Sequence, residues 1–140
     1  MDGVFEFNDN EIHAENKSGN IKISNDVVAA IAAISAEEVK GVAGMYTTIS
    51  DAIAEKIAGK KNKGKGVKIT INETGISVDL TIVADFGVRL RDISESVQKN
   101  VRRDVETMTG MSVTEVNVRV ESVKFIKTES QPDVEIIEED

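Results

Sequence analysis

The chain has 140 residues, of which 40% are hydrophobic and 30% charged, as expected for one soluble domain with a modest core. It contains no cysteine, which excludes disulfides, thiol catalysis and thiolate metal sites. The net charge of −8 is concentrated at the ends: residues 1–20 contain five acids and one lysine, and residues 126–140 contain six acids and one lysine. The nearly neutral region between them disfavours a domain built mainly to bind nucleic acid, which would carry a basic excess.

The first residues, MDGVFEFNDNEIHAEN, contain acids and no apolar run, so they do not resemble a signal peptide. No apolar run approaches the roughly 18 residues that a membrane span needs. We therefore expect a cytoplasmic protein that reaches a membrane only through a partner. We predict an acidic mobile arm at residues 1–19, a single domain at 20–125 and an acidic, disordered tail at 126–140. The acidic ends keep the protein soluble or engage a basic partner.

The first predicted elements are a strand, a helix and a second strand. Ile21 and Ile23 alternate with polar residues, which indicates a short strand. A helix follows over the alanine-rich stretch VVAAIAAISAEEVKG, with Ser24 or Asn25 as its N-cap and a lysine–glycine pair at its end. The apolar, β-leaning residues 42–48 predict the second strand.

A hairpin is the clearest structural signal in the chain. A short helix is predicted after residue 50 and ends at Gly59. Apolar and polar residues then alternate at 67–72 and again at 76–84, which predicts two strands. The turn Glu73-Thr74-Gly75 joins them, and its glycine is suited to a positive φ.

The last predicted elements are a long helix and a strand. Over 89–109, apolar residues recur at steps of four, four, four and three, which predicts one apolar stripe on a helix. The valines of the final strand, 113–125, change phase near Glu121–Ser122, which predicts a bulge there. The order β-α-β-(short α)-β-β-α-β predicts an α+β fold, with two main helices on one face of a small mixed or antiparallel sheet.

The segment GKKNKGKG, residues 59–66, matches the first seven positions of a phosphate-binding P-loop. It lacks the hydroxyl residue that would coordinate Mg²⁺, and it enters a strand rather than a helix, so we expect no nucleotide site. It is a flexible connection next to an edge strand, or it contacts anions of phospholipid head groups, RNA or an acidic protein patch. No aromatic residue is interleaved for base stacking, which weakens the RNA interpretation. The candidate anion-contacting residues are Lys60, Lys61, Lys63, Lys65 and Lys68.

Residues for catalysis or metal binding are few. His13 is the only histidine and lies in the predicted arm, so the domain has no general base of that type. Asp79, Asp85 and Asp92 are more typical of solvated or arginine-paired acids than of metal ligands. We therefore predict no catalytic, metal or cofactor site.

The predicted helix 89–109 also carries a basic surface. Its charged residues form either a solvated face or a docking surface for a partner. The candidate docking residues are Arg91, Lys99, Arg102 and Arg103.

The stretch GNIKISNDVVAAIAAISAEEVKGVAGM resembles the opening of the alkaline-shock family, the Gls-type envelope stress response proteins of Gram-positive bacteria. The hairpin, the SVQ helix and the closing VTEVNVRVESV strand are similar to the rest of the family pattern, so the resemblance covers about 20–125. It implies a non-enzymatic protein of cell-envelope homeostasis without known catalytic residues or cofactors. It also implies a protein partner, either membrane-anchored or a lipid-synthesis enzyme. The GKGV, FGV and SVQ stretches look most like the branch associated with acetyl-CoA carboxylase and lipid synthesis genes.

The resulting expectation is a self-associating interaction domain that acts through protein–protein contacts. The alternative is a module that binds RNA or an anionic surface through the lysines at 60–68. A KH-type RNA-binding domain needs a GxxG loop between two helices, and this chain has none at such a position. A hydrolase or nucleotide-binding enzyme lacks its residues.

Overall fold

The computed structural model describes residues 4–7, 11–47, 53, 57, 65–125 and 136–139. Its strands are β1 (Val4–Phe7), β2 (Glu11–Asn16), β3 (Gly19–Ser24), β4 (Val42–Met45), β5 (Val67–Asn72), β6 (Gly75–Asp85), β7 (Val113–Phe125) and β8 (Ile136–Glu139). Its longer helices are α1 (Asn25–Glu37) and α2 (Leu90–Thr109). The predicted α+β class is confirmed. Neither α1 nor α2, nor any other helix within the described ranges, is long and apolar enough to cross a membrane.

Helix α1 begins where the sequence places an N-cap. The Ser24 hydroxyl accepts a hydrogen bond from the backbone N–H of Val27 at 3.3 Å, which satisfies one of the free donors of the first turn. The buried face of α1 is rich in alanine, and small side chains let the helix lie close to its neighbours. The chain then turns at Gly41, whose φ of 108° is a conformation that favours glycine.

The predicted hairpin is formed by β5 and β6. The Asn72 carboxamide oxygen accepts hydrogen bonds from the N–H groups of Thr74 and Gly75, at 2.9 and 3.2 Å, which fixes the turn. Gly75 has the expected positive φ, 137°. A Cβ at this position would lie 2.4 Å from the carbonyl oxygen of Ser112, so the close approach to the start of β7 also requires glycine.

Strand β6 is the centre of a five-stranded sheet. β4 and β5 pair antiparallel with β6, β7 pairs parallel with it, and β8 pairs antiparallel with the end of β7. The inner face of β6 packs with α1 and α2 in one hydrophobic core. Its buried residues are Ile76, Val78, Leu80, Ile82 and Ala84.

The predicted bulge in β7 is confirmed. Ile82 lies opposite Val120 and Val83 lies opposite Ser122, so Glu121 is the extra residue. The insertion changes the phase of the strand and places Val123 opposite the buried Ala84.

The structure adds strands for which the sequence analysis has no counterpart. β1 and β2 fall in the range 1–19, and β2 pairs with β3 so that Ile12 lies opposite Ile23 and is 1% exposed. β8 falls in the range 126–140. The division into arm, domain and tail stays a prediction. Of the predicted short helix, Ile53 and Ile57 are helical and exposed, and its other residues lie outside the described ranges.

Candidate docking site

A wide, open groove of about 1060 Å³ runs between α2 and the outer edge of β7. We call it the docking groove. Most of its lining side chains are charged or polar. On α2 they are Asp92, Glu95, Ser96, Gln98, Lys99, Arg102, Arg103, Glu106 and Thr107, and on β7 the lining residues are Thr114, Glu115, Val116 and Asn117.

The amphipathic pattern of α2 determines which side chains reach the groove. Its apolar stripe, including Val97, Val101 and Val105, is fully buried against the core. The charged residues therefore project from the remaining faces. Gly110, at φ 75°, ends the helix, and its N–H donates to the Glu106 carbonyl at 2.9 Å.

Three α2 side chains at successive helical turns hold the edge of β7. The Gln98 carboxamide donates to the carbonyl of Val116 at 3.0 Å. The Arg102 guanidinium donates to the carbonyl of Val113, and the Glu106 carboxylate accepts from the N–H of the same valine at 2.9 Å. Gln98, Arg102 and Glu106 are four residues apart and share one helix face. This role is not among those predicted from the sequence, although the polar i, i+4, i+8 spacing beside the apolar stripe is a signal for it.

The four candidate docking residues divide into three kinds. Arg102 holds β7, as described above. Lys99 and Arg103 line the docking groove, and the Arg103 guanidinium lies 3.0 Å from the Asp104 carboxylate. Arg91 does not line the groove; it forms an exposed pair with Glu95 at 3.7 Å, and such pairs contribute little to stability.

A polar connection links α2 to α1. The Ser35 hydroxyl, which is 1% exposed, donates to the Asp104 carboxylate at 2.7 Å. The Asn100 carboxamide donates to the Ser35 carbonyl at 2.8 Å. The hydrogen bond from Ser35, followed by the hydrogen bond from Arg103, lowers the pKa of Asp104 below its ordinary value. The two helices are thus held in register by an ionised carboxylate.

The candidate lysine loop is described only at its end. Lys60, Lys61 and Lys63 lie outside the described residues, so anion contact by this loop stays a prediction. Lys68 is in β5 opposite Asp79, on the face of the sheet that the helices do not cover. A second groove of about 560 Å³ on that face is lined by Lys68, Asp79 and Arg119, so the two cations there lie beside a carboxylate.

The other polar residues singled out in the sequence have ordinary partners. The His13 ring lies 2.8 Å from the Glu11 carboxylate and lowers the pKa of Glu11. The Asp79 carboxylate accepts from Asn117 at 2.8 Å, and Asp92 lies 4.0 Å from Arg89. Within the described ranges, no three histidine or carboxylate side chains are close enough together to hold a metal ion.

Comparison with known proteins identifies relatives along almost the whole chain. An uncharacterized Bacillus subtilis protein, YqhY, is 37% identical over 127 residues, which are 91% of this chain and 92% of the relative. A second uncharacterized protein of that organism, YloU, is 31% identical over 115 residues, 81% of this chain and 95% of the relative. A Streptococcus pyogenes protein named as a stress response regulator, a gls24 homologue, is 28% identical over 106 residues, 76% of this chain and 59% of the relative.

No solved structure matches the chain. The model of one family, described by a cell envelope-related function, matches residues 13–125. This range contains α1, α2, β3 and the strands β4 to β7 of the five-stranded sheet. The chain therefore belongs to the ASP23 family, as its resemblance to the alkaline-shock, Gls-type proteins predicts.

Proposed function

We propose that this protein acts in cell-envelope homeostasis by binding another protein through the docking groove, without catalysing a reaction. The observation that carries the proposal is the arrangement of α2, where Lys99 and Arg103 line the groove while the neighbouring Arg102 is bound to β7. The side chains available to a partner thus stand on a helix that is fixed at three successive turns. Rigid elements position recognition residues better than loops do.

The character of the lining supports a protein partner over a small molecule. Small-molecule sites are enclosed, mostly apolar cavities with a few placed polar groups. The docking groove is open, and its lining combines acids, bases and amides. A mixed charge pattern of this kind favours specificity and correct register with a complementary protein surface.

Two partner classes fit the family and the sequence. The family description, cell envelope-related function, fits a membrane-anchored protein that recruits this chain. The GKGV, FGV and SVQ stretches resemble the branch associated with lipid synthesis genes, which fits an enzyme of that synthesis. Self-association of the domain is compatible with either partner.

The experiment is an in-cell crosslinking pull-down from soluble and membrane fractions, with and without nuclease. The test variant is Lys99→Glu with Arg103→Glu, which leaves the Arg102 contact to β7 intact. The matched control is Lys17→Glu with Lys40→Glu, which makes the same change in net charge at exposed positions away from the groove. We expect one defined protein partner to survive nuclease treatment and its recovery to fall about tenfold in the test variant only, since 1.4 kcal/mol of lost affinity is tenfold.

Equal thermal unfolding midpoints for both variants would show that the loss is not caused by misfolding. Undiminished recovery of the partner by the test variant would contradict the proposal. Recovery of RNA, with protein partners lost on nuclease treatment, would favour the alternative in which the lysines at 60–68 bind RNA.

A further inference from the structure

The outer edge of β7 is covered at its two ends, by side chains of α2 at one end and by β8 at the other. At the end near α2, the side chains of Gln98, Arg102 and Glu106 bond the backbone groups of Val113 and Val116. At the other end, β8 pairs with residues 122–125 of β7. In the part of the chain that the structure describes, no strand or helix side chain pairs with this edge at residues 117–121.

From this we infer that the outer edge of β7 is a strand-addition site for an acidic, extended segment of a partner protein. We infer further that β8 occupies one end of the same site as an intramolecular competitor. The inference rests on the proposed function, a protein-docking role, and specifies how the partner is recognised. The docking groove lies along the same edge, so a segment added there would also meet the α2 side chains.

The alternation of the strand shows which backbone groups point outward. The Val116 carbonyl faces outward and accepts a hydrogen bond from Gln98. Because the backbone N–H and C=O groups of every second residue point to the same edge of a strand, the backbone groups of Val118 and Val120 also face outward. The extra residue at Glu121 then reverses the phase, and the Lys124 carbonyl points the other way, bonding the N–H of Phe86 at 2.9 Å. The backbone groups of Val123 and Phe125 therefore face β8. Among the residues that the structure describes, none pairs with the outward N–H and C=O groups of Val118 and Val120.

An open edge of this kind is a template for another strand. Natural sheets block their edges with charges, bulges, short strands or covering elements because unpaired backbone groups recruit other chains. The open residues 117–121 would span roughly 17 Å at about 3.3 Å per residue. Strand addition gives affinity through main-chain hydrogen bonds and specificity through alternate side chains.

The sequence of β8 indicates the chemistry of the segment that fits. Its residues, Ile136–Glu139, read IIEE and pair antiparallel with β7 in register, Ile137 opposite Lys124. Among the open residues, Arg119 is a cation and Glu121 is an acid. A partner segment that resembles β8, with β-branched residues followed by acidic ones, therefore matches the pairing already present at this edge.

The length of the pairing explains how a partner would replace β8. β8 pairs with only four residues of β7. A partner segment that pairs with the same four residues and continues over 117–121 forms more backbone hydrogen bonds. The intramolecular strand raises the concentration that such a partner needs, because a linked segment competes at a high effective concentration.

The test uses the full chain and a fluorescent synthetic peptide, IIEEVEVEV, which repeats the β8 sequence and continues along the open residues. In one variant, Ile136→Pro with Glu138→Pro, the two N–H groups that face β7 are removed. In the matched control, Ile137→Pro with Glu139→Pro, the lost N–H groups face away from β7, a position that edge strands tolerate. We expect the peptide to bind the first variant about tenfold more tightly than the wild type or the control, because the competing strand is gone.

Two further measurements locate the peptide. Amide hydrogen exchange at Val118 and Val120 should slow when the peptide is added. Peptides N-methylated at odd positions, whose amides would face β7, should not bind, whereas peptides N-methylated at even positions should bind like the parent.

Equal affinity for all three proteins, equal binding of both N-methylated peptides, or unchanged exchange at the two valines would overturn strand addition. A change of oligomeric state in the Ile136→Pro, Glu138→Pro variant would show that the occupant is a second copy and would overturn the assignment to a partner protein. The two proposals can fail separately. If the peptide tests fail but Lys99→Glu with Arg103→Glu still loses the cellular partner, the docking function is supported and strand addition is not. If the peptide binds as expected but the charge variant retains its partner, strand addition at β7 is supported and the docking groove is not the binding site.

Discussion

The inner and outer faces of the sheet differ in what covers them. Along β6, Leu80 points to the inner face and is 1% exposed in the core formed with α1 and α2. Its neighbour Asp79 points to the outer face, where the Asn117 carboxamide bridges Asp79 and Glu115 at 2.8 and 3.1 Å. The Ser77 hydroxyl extends this polar ladder to Glu115 at 3.2 Å.

This difference separates the residues that maintain the fold from those that are free to serve recognition. Burial of apolar area is the dominant favourable contribution to folding, and it is concentrated on the inner face. The polar ladder of the outer face exchanges protein–water for protein–protein hydrogen bonds at small net gain. Substitutions on the two faces of one strand should therefore differ several-fold in their effect on the free energy of unfolding.

The largest effect is expected at Leu80, since Leu80→Ala removes buried methyl groups and leaves a cavity between the sheet and the helices. We expect a loss of about 2–5 kcal/mol in the free energy of unfolding, measured by urea denaturation. Thr81→Ala, the next position on the outer face, is the matched control and should change stability by less than about 1 kcal/mol. Similar losses at the two positions would refute the distinction between the faces.

An intermediate effect is expected between the two helices that cover the inner face, at the contact between Ser35 and Asp104. Ser35→Ala removes the hydrogen bond that contributes most to the lowered pKa of Asp104. We expect a loss of about 1.5–3 kcal/mol at pH 7, as for a hydrogen bond to a charged group. Ser96→Ala, at an exposed position of α2, is the control and should be nearly neutral.

The same contact predicts a pH dependence with a defined sign. Because the pKa of Asp104 is lowered in the folded state, its ionised form stabilises the fold fully above the unfolded pKa of about 4. That contribution is lost as the pH falls from there through the folded pKa. The difference between wild type and Ser35→Ala should thus be constant from pH 7 to about pH 5 and shrink by pH 3. A difference that stays constant down to pH 3 would mean that Asp104 is not the group responsible.

The sequence predicts the locally determined elements well. The β5–β6 hairpin and α2 follow from alternation, turn chemistry and a 3.6-residue stripe within short windows. The bulge at Glu121 follows from the same logic, because a phase change in a run of valines needs one extra residue. Each of these signals lies within the element itself.

The missed features depend on contacts between distant parts of the chain. β2 is a mixed segment, EIHAEN, and its Ile12 is buried because pairing with β3 brings it into the hydrophobic core. Arg102 is visible in the sequence as a surface charge, but its bond to Val113 depends on how α2 packs along the edge of β7. β8 likewise exists only as a partner of β7. The hydrophobic periodicity and the composition of a single segment do not predict these pairings.

The smallest effect is expected on the outer face, at Asn117. Asn117→Ala removes two hydrogen bonds from an exposed ladder whose carboxylates remain hydrated by water. We expect the free energy of unfolding to fall by less than about 1 kcal/mol, measured by urea denaturation beside Leu80→Ala.

The effect of protein concentration on the stability loss of Asn117→Ala also tests the contrast between the two faces of the sheet. If the outer face is free in solution, the small loss at Asn117 should be the same at every protein concentration. A loss above about 2 kcal/mol that grows with protein concentration would mean that a second copy covers the face, because binding adds to apparent stability by mass action. In that case the polar ladder would be an interface, and the contrast between the two faces would hold only for the isolated chain.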